Sequence, residues 1–336
     1  MQAGDGRDTR FRVESLAGIA LIGTLVSIYM ASQTLRNSIG VIAPDLARDL
    51  DLSAAQLGIL SSIFFVGFVA MQIPLGLALD RFGPKRCMIA CTGVVIIGTG
   101  LFALAPTAGA LIAARALIGV GSSCYLMAPL AFYARRFPPE RFALLAGVQM
   151  GLGTVGTLLA TAPLAFSATA FGWRATFWLI AGVMAAGGLL VALVVPGDRS
   201  APLAPPEPLS RSLAGTLQAI RLPYVTALFM MQLAAYSTFA LIVGLWGGPY
   251  LTHVYGYGLV ERGDLLFIAA GGQVIGLLAN GPLERRIGGY KTVVVLGALA
   301  SAALLLVLAA TGSLPRGLLV AWLFAFGLAS AFTPAL

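Results

Sequence analysis

Long apolar runs, separated by short polar stretches, repeat along this chain. Ten such segments run roughly over residues 16–43, 55–78, 87–105, 109–134, 142–166, 174–195, 223–249, 264–283, 292–311 and 315–336. Each is near or above the ~20 residues that a helix needs to cross the hydrocarbon core of a bilayer. The segments are apolar on every face, and a helix satisfies its own backbone in lipid where an open strand does not. The pattern predicts an all-α integral membrane protein with about ten transmembrane helices.

Composition supports the membrane class and excludes others. Hydrophobic residues make up 59% of the chain and charged residues only 10%, against roughly 25% charged residues in soluble domains. Three cysteines and a single histidine, His253, provide neither a disulfide framework nor a metal-ligand pattern. The membrane segments hold no Ser/His or paired-Asp arrangement. We therefore expect no enzyme, no cofactor and no metal site.

The basic residues fall mainly on one side of the predicted helices. If the N-terminus is cytoplasmic, fifteen of the 21 Lys and Arg residues lie on the cytoplasmic side, four lie outside, and Arg36 and Arg115 lie within segments. This asymmetry follows the positive-inside rule and predicts a multi-pass protein of the cell (inner) membrane with a cytoplasmic N-terminus. The net charge of +8 then faces the headgroups of the lipid bilayer and not nucleic acid.

A proline-rich stretch divides the chain. Residues 196–222 contain five prolines, too many for a helix to pass through. The sequence at 76–83 has a related copy at 281–288, and two parallel halves are a known transporter architecture. We predict an N-terminal six-helix half at 1–195, a cytoplasmic linker at 196–222 and an incomplete C-terminal half at 223–336 with helices seven to ten. The chain is therefore expected to stop about two helices short of twelve.

Two motifs resemble those of the major facilitator superfamily. The sequence from Gly76 to Arg86, Gly-Leu-Ala-Leu-Asp-Arg-Phe-Gly-Pro-Lys-Arg, is similar to the family's loop signature between helices two and three. The sequence from Arg115 to Gly121, Arg-Ala-Leu-Ile-Gly-Val-Gly, is similar to its helix-four signature. The resemblance covers residues 10–336 and implies two six-helix halves, here truncated to about ten helices.

The resemblance also implies a gate at the first motif. Its residues are Gly76, Asp80, Arg81, Gly83, Lys85 and Arg86. In the family, the aspartate locks the outward-facing state by pairing with the positive N-terminal end of helix eleven. The alternative is that the loop only anchors topology through a tight turn and basic residues at the headgroups. In the second copy Arg285 stands where Asp80 does in the first.

Charge inside the membrane is the strongest chemical signal. None of the thirteen acidic residues falls within the interior of an apolar segment, whereas Arg36 and Arg115 do. An arginine at the centre of a helix costs about 2.5–3.5 kcal/mol on insertion scales. Two cations without an anion favour an anionic substrate, which a guanidinium can bind through two donors. The alternatives are snorkelling of Arg36 to the headgroups and a packing or coupling role for Arg115.

Segment one resembles anion:cation symporter and organophosphate-type members of the superfamily. The similarity lies in the stretch from Arg36 to Pro44 and implies that Arg36 contacts the anion. Neutral polar residues complete the candidate substrate-binding set, with Tyr29 and Gln33 on the same face as Arg36, and Gln232 and Tyr236 on segment seven. Hydrogen bonding between helices is the alternative for the amides.

These observations predict a secondary active transporter of a small, anionic solute that works by alternating access. We expect a small-molecule substrate, a coupling ion that is a proton or a counter-anion, and a monomer. A multidrug or metabolite efflux antiporter of the same fold is the first alternative. A membrane scaffold or receptor that transports nothing is the second, and an intact gating loop argues against it.

Overall fold

The computed structural model describes residues 16–197, 222–287 and 290–332, and these residues are almost entirely helical, with no β-strand among them. The predicted all-α fold is therefore confirmed. The linker at 198–221 lies outside the described residues, as do the side chains of Gln232 and Tyr236 and most of the second motif copy at 281–288.

We divide the described residues into two groups of helices at the segment 198–221. We call residues 16–197 the N-terminal bundle and the described residues from 222 onward the C-terminal bundle. The N-terminal bundle contains α1 (Leu16–Asn37), α2 (Ile39–Leu50), α3 (Ala54–Phe82), α4 (Pro84–Leu104), α5 (Ala108–Ser122), α6 (Cys124–Arg136), α7 (Pro139–Leu159) and α8 (Ala162–Val194). The C-terminal bundle contains α9 (Pro223–Leu241), a π-helical segment (Ile242–Trp246), α10 (Gly247–Tyr255), α11 (Leu259–Ile287), α12 (Tyr290–Thr311) and α13 (Arg316–Ser330).

Seven helical stretches in the described residues are long and apolar enough to cross a membrane. One of them, residues 144–194, covers two of the predicted segments and includes Gly172, whose φ of 80° and ψ of 158° interrupt α8. All ten predicted segments overlap helical residues. The multi-pass architecture is thus supported, and the count of ten spans stays a prediction.

Two predicted helices are broken in the structure. Segment one divides at Ser38 into α1 and α2, and segment four divides at Ser123 into α5 and α6. A proline, Pro44 or Pro129, follows each break by six residues and lies inside the second helix. Because the proline ring has no N–H and clashes with the carbonyl four residues earlier, it disturbs the preceding turn.

Segment seven differs from its prediction as well. A π-helical segment, Ile242–Trp246, interrupts it, and the helix then continues as α10. The single histidine, His253, occupies the last turn of α10.

Polar contacts define two sides of the molecule. The side that we call the Asp45 side carries Asp45 and the indole of Trp173, which donates to Asp49 at 2.9 Å. The opposite Asp80 side carries the turn at Gly83, where α3 ends and α4 begins. Gly83 has a φ of 79°, a conformation that glycine adopts without strain. The expectation that Gly83 forms a tight turn is met.

Candidate functional site

A cavity of about 150 Å³ lies between the two bundles. Its lining residues are Gln33, Asn37, Thr154, Thr157, Phe239, Ala240, Gln273, Leu277, Ser330 and Ala331. The first four belong to α1 and α7 of the N-terminal bundle, and the others come from α9, α11 and the end of α13. The lining residues that the structure describes carry amide and hydroxyl groups and no ionised side chain. The cavity therefore offers hydrogen bonds from both bundles to one small molecule.

Gln33 is the predicted site residue that lies in this cavity. Its Oε1 atom is buried and has no hydrogen-bond partner among the described residues. The neighbouring Asn37 is held in place, because its Nδ2 donates to the backbone oxygen of Gln33 at 2.9 Å and to Oγ1 of Thr157 at 3.4 Å. A buried acceptor without a donor is costly, so Gln33 is suited to accept a hydrogen bond from a bound molecule.

The link between α1 and α7 positions these groups. Thr34 donates from its Oγ1 to the backbone oxygen of Gly156 at 2.9 Å. A side chain on Gly156 would meet the backbone of Met30. The two helices therefore touch through their backbones, which fixes Gln33 relative to Thr157.

Arg36 points elsewhere. Its Cζ lies 4.7 Å from the ring centroid of Phe68, 5.7 Å from that of Phe64 and 5.8 Å from that of Phe65. These rings belong to α3, and a guanidinium over aromatic faces is favoured electrostatically. Arg36 is half-buried against α3 and is not among the residues that line the cavity. In this structure Arg36 therefore contacts α3 and does not join Gln33 in the cavity.

Tyr29 is a packing residue in this structure. It is buried, and its ring lies so close to Gly153 of α7 that a Cβ there would overlap it. The predicted cluster is therefore not formed: Tyr29 packs against α7, Gln33 lines the cavity, and Arg36 lies against α3. The three residues share one face of the helix, but their side chains do not come together because each contacts a different neighbouring element.

Arg115 is buried, at 1% exposure, beside the break in segment one. Its Nη1 donates to the backbone oxygen of Leu35 at 2.6 Å, and its Nη2 donates to that of Arg36 at 2.7 Å. Its Cζ lies 4.7 Å from the ring centroid of Phe64. The guanidinium thus caps carbonyl groups at the end of α1. These contacts correspond to the packing alternative for Arg115.

The motif on the Asp80 side forms a local network. Asp80 lies 3.3 Å from Nη2 of Arg135, which also donates to the backbone oxygen of Leu79 at 3.1 Å. Lys85 donates to the backbone oxygen of Ala192, near the end of α8, at 2.7 Å. The other motif residues make the turn or face outward: Gly83 is at the turn, Gly76 has open space around its Cα, Arg81 lies over Phe82, and Arg86 is exposed.

Sequence reasoning missed an ion pair on the Asp45 side. Asp45 of α2 and Arg262 of α11 are 2.5 Å apart, Oδ2 to Nη2. The two residues are separated by 217 positions, so no local pattern signals their contact. Asn37 and Thr157 were missed too, although Asn37 follows Arg36 directly on segment one.

The fold and cavity define a multi-pass helical membrane protein with a solute-sized space between two bundles. A profile of the Major Facilitator Superfamily matches residues 25–336, and the chain belongs to this superfamily. The predicted family resemblance is therefore confirmed. The finer resemblance of helix one stays a prediction.

Relatives of known name include one drug-resistance protein and two solute transporters. A chloramphenicol resistance protein of Streptomyces lividans is 27% identical over 252 residues, which is 73% of this chain and 62% of the relative. A hexuronate transporter of Bacillus subtilis is 30% identical over 145 residues (43% and 34%). A probable sulfoacetate transporter of Cupriavidus necator is 26% identical over 172 residues (51% and 40%). The chain spans less than two thirds of the length of each of these relatives.

Solved structures share the fold. A bacterial homologue of the human lysosomal transporter Spinster, in an inward-facing and unoccupied conformation, superposes with a TM-score of 0.70 at 19% identity, covering 95% of this chain and 74% of that one. A D-xylose–proton symporter gives a TM-score of 0.72 at 16% identity, covering 94% and 80%.

Proposed function

We propose that this protein is a secondary active transporter that carries a small anionic solute by alternating access. The observation that carries the proposal is the cavity of about 150 Å³ between the bundles, to which both bundles contribute polar groups. A cavity of that volume holds a ring of about six heavy atoms. Solute binding between two halves lets one site face each side of the membrane in turn.

The two ends of the interface differ, as alternating access requires. On the Asp45 side the bundles touch through their backbones, with Gly40 of α2 against Val243 and Gly248 against Gly40. Nearer the Asp80 side, α1 and α7 form an apolar groove of about 380 Å³ whose lining residues all belong to the N-terminal bundle: Ile19, Ile22, Gly23, Val26, Ser27, Leu144, Leu145, Val148 and Leu152. Among the described residues, none from the C-terminal bundle lines this groove, which fits a state open toward the Asp80 side.

Three features support an anion. Arg36 and Arg115 supply positive charge at the depth of the cavity, since Arg36 adjoins Asn37 and lies three residues from Gln33. The acidic residues of the sequence lie outside the interiors of the apolar segments, with Asp264 at the first position of its segment, so they do not neutralise this charge within the core. Two relatives are named for the anionic solutes hexuronate and sulfoacetate. In the proposed mechanism Arg36 leaves the rings of α3 and pairs with the entering anion.

We place the Asp80 side in the cytoplasm, because the basic loops gather there in the sequence. The protein is then an inner-membrane monomer with a cytoplasmic N-terminus. A proton or a counter-anion drives transport, and the fold shared with a D-xylose–proton symporter supports the proton. Asp80 and its motif act as the gate on the cytoplasmic side.

An efflux antiporter is the second candidate. A relative matched over 73% of this chain is named a chloramphenicol resistance protein. The uncharged cavity walls, with the apolar residues Phe239 and Leu277, also suit a neutral aromatic compound. Superfamily membership together with the transporter neighbours supports a transporter over a scaffold or receptor, and indicates a transporter and not an enzyme.

A ligand panel separates the two candidates. The thermal stability of the purified protein is measured with galacturonate, sulfoacetate, chloramphenicol and D-xylose, since a ligand that binds only the folded state raises the unfolding midpoint. We expect stabilisation by an organic anion. Arg36→Gln should weaken binding of that anion by on the order of 2 kcal/mol. Gln33→Leu should weaken binding of any ligand that occupies the cavity.

Matched variants make the result interpretable. Gln72→Leu changes a half-buried glutamine of α3 outside the cavity, and Arg174→Gln changes an arginine that lies over Trp173 on the Asp45 side. Both should leave the ligand shift unchanged. Stabilisation by chloramphenicol alone would favour efflux. Anion stabilisation that is insensitive to Arg36→Gln would remove Arg36 from the proposed site.

A further inference from the structure

We propose that the ion pair between Asp45 and Arg262 is the lock that holds the Asp45 side of the two bundles closed. Nη2 of Arg262 lies 2.5 Å from Oδ2 of Asp45. Asp45 belongs to α2 of the N-terminal bundle and Arg262 to α11 of the C-terminal bundle. The inference rests on alternating access as proposed above, but it does not depend on the identity of the solute.

The pair is distinguished by what it joins. The remaining salt bridges between described residues link Arg48 to Asp45, Arg48 to Asp49, Arg135 to Asp80 and Arg174 to Asp49. All four lie within the N-terminal bundle. Among the ion pairs that the structure describes, only Asp45–Arg262 therefore ties one bundle to the other.

Burial and a second contact make the pair specific. Arg262 is 3% exposed, and the side chain of Asp45 is 18% exposed. Nη1 of Arg262 is held by Oγ1 of Thr252, on α10, at 2.6 Å. Thr252 thus orients the guanidinium toward α2. Arg48 is the other cation near Asp45, but it is largely exposed and so adds little.

Glycines beside the lock let the bundles close around it. A Cβ on Gly40 would run into the backbone of Val243, and a Cβ on Gly248 would run into that of Gly40. On the other flank of Arg262, a Cβ on Gly263 would meet Ala165 of α8. Close contacts on both flanks limit the access of water to the ion pair, which raises its strength in the closed state.

The pair can act as a switch because its energy depends on closure. When the bundles part on this side, both groups become hydrated, and an exposed ion pair contributes little. Removing Asp45 from the closed state leaves Arg262 buried without its carboxylate, which is strongly destabilising, and removing Arg262 leaves Asp45 with only the exposed Arg48 as its cation. Neutralising either residue should therefore shift the population toward the state that is open on the Asp45 side.

Accessibility of the cavity from each membrane face tests this inference without any solute. In a background in which Cys87, Cys91 and Cys124 are replaced by alanine, the reporter Thr154→Cys lines the cavity. A membrane-impermeant maleimide is applied to vesicles of each orientation. The parent protein should label mainly from the Asp80 side. Asp45→Asn and Arg262→Gln should each raise labelling from the Asp45 side by about tenfold or more.

Control variants decide between a lock and a general loss of structure. Asp49→Asn removes a carboxylate of the same helix that pairs within the N-terminal bundle, and it should leave the labelling unchanged. The exchange Asp45→Arg with Arg262→Asp should return labelling toward the parent value. Thr252→Val, the mildest change, should raise labelling in the same direction.

The lock is refuted if Asp45→Asn labels no faster than Asp49→Asn. If the charge variants do not fold, an unchanged rate in Thr252→Val refutes it instead. If no organic anion stabilises the protein in the ligand panel, the proposed solute is wrong, but the expected labelling rates of the lock variants do not change. The two proposals therefore fail separately.

Discussion

The substitution Arg115→Lys tests what a buried arginine does at the break in segment one. Arg115 donates one hydrogen bond to the carbonyl of Leu35 and one to that of Arg36. Lysine keeps the buried charge, so the cost of removing that charge from water is common to both proteins. Lysine cannot reproduce the fork, and one charge-assisted hydrogen bond is lost.

The expected magnitude follows from these contacts. A hydrogen bond to a charged group contributes about 1.5–3 kcal/mol. The carbonyl of Leu35 retains a second donor, the hydroxyl of Ser38 at 2.9 Å, which limits the damage. We therefore expect Arg115→Lys to destabilise the protein by about 2 kcal/mol and to lower its unfolding midpoint in detergent by several degrees.

Arg174→Lys is the matched control. The side chain of Arg174 is 45% exposed, and its Cζ lies 4.2 Å from the ring centroid of Trp173. Its replacement should change stability by less than about 1 kcal/mol. If Arg115→Lys retains the parent stability but loses solute binding, Arg115 contacts the solute and the capping role is wrong.

Three further predictions concern the gate, the interface and the topology. Asp80→Asn should insert normally and change stability by less than about 1 kcal/mol, yet slow transport; unchanged transport with collapsed expression would favour simple anchoring. Gly40→Ala should destabilise the closed Asp45 side by about 1–3 kcal/mol, seen as faster reporter labelling, whereas Gly23→Ala meets open space and should have no such effect. Single cysteines at the exposed positions of Arg86 and His253 should label from opposite faces; labelling of both from one face would contradict the topology.

The fold was predictable because its signals are local. The length and apolar composition of each segment predict a membrane helix, and the motif at 76–86 lies in one continuous stretch. The breaks at Ser38 and Ser123 could also have been predicted from the sequence, since a proline follows each of them closely. The sequence does not show how far such a proline disturbs a helix, because neighbouring helices decide that.

The site was predictable only in part. Gln33 was found because an amide in an apolar segment needs a partner. The positions of Arg36 and Tyr29 depended on which neighbour each side chain meets, namely the rings of α3 and the bare backbone at Gly153. Those neighbours are distant in sequence, and periodicity along segment one carries no information about them.

Alternating access is tested most directly by two distances measured in the same protein. Spin labels at Arg86 and Arg286, both exposed, report the Asp80 side, and labels at Ala55 and His253, also exposed, report the Asp45 side. Gly40→Ala provides the perturbation. Alternating access predicts that the Ala55–His253 distance lengthens while the Arg86–Arg286 distance shortens. A longer distance on the Asp45 side with no change on the Asp80 side would contradict it, because the two ends would then move independently.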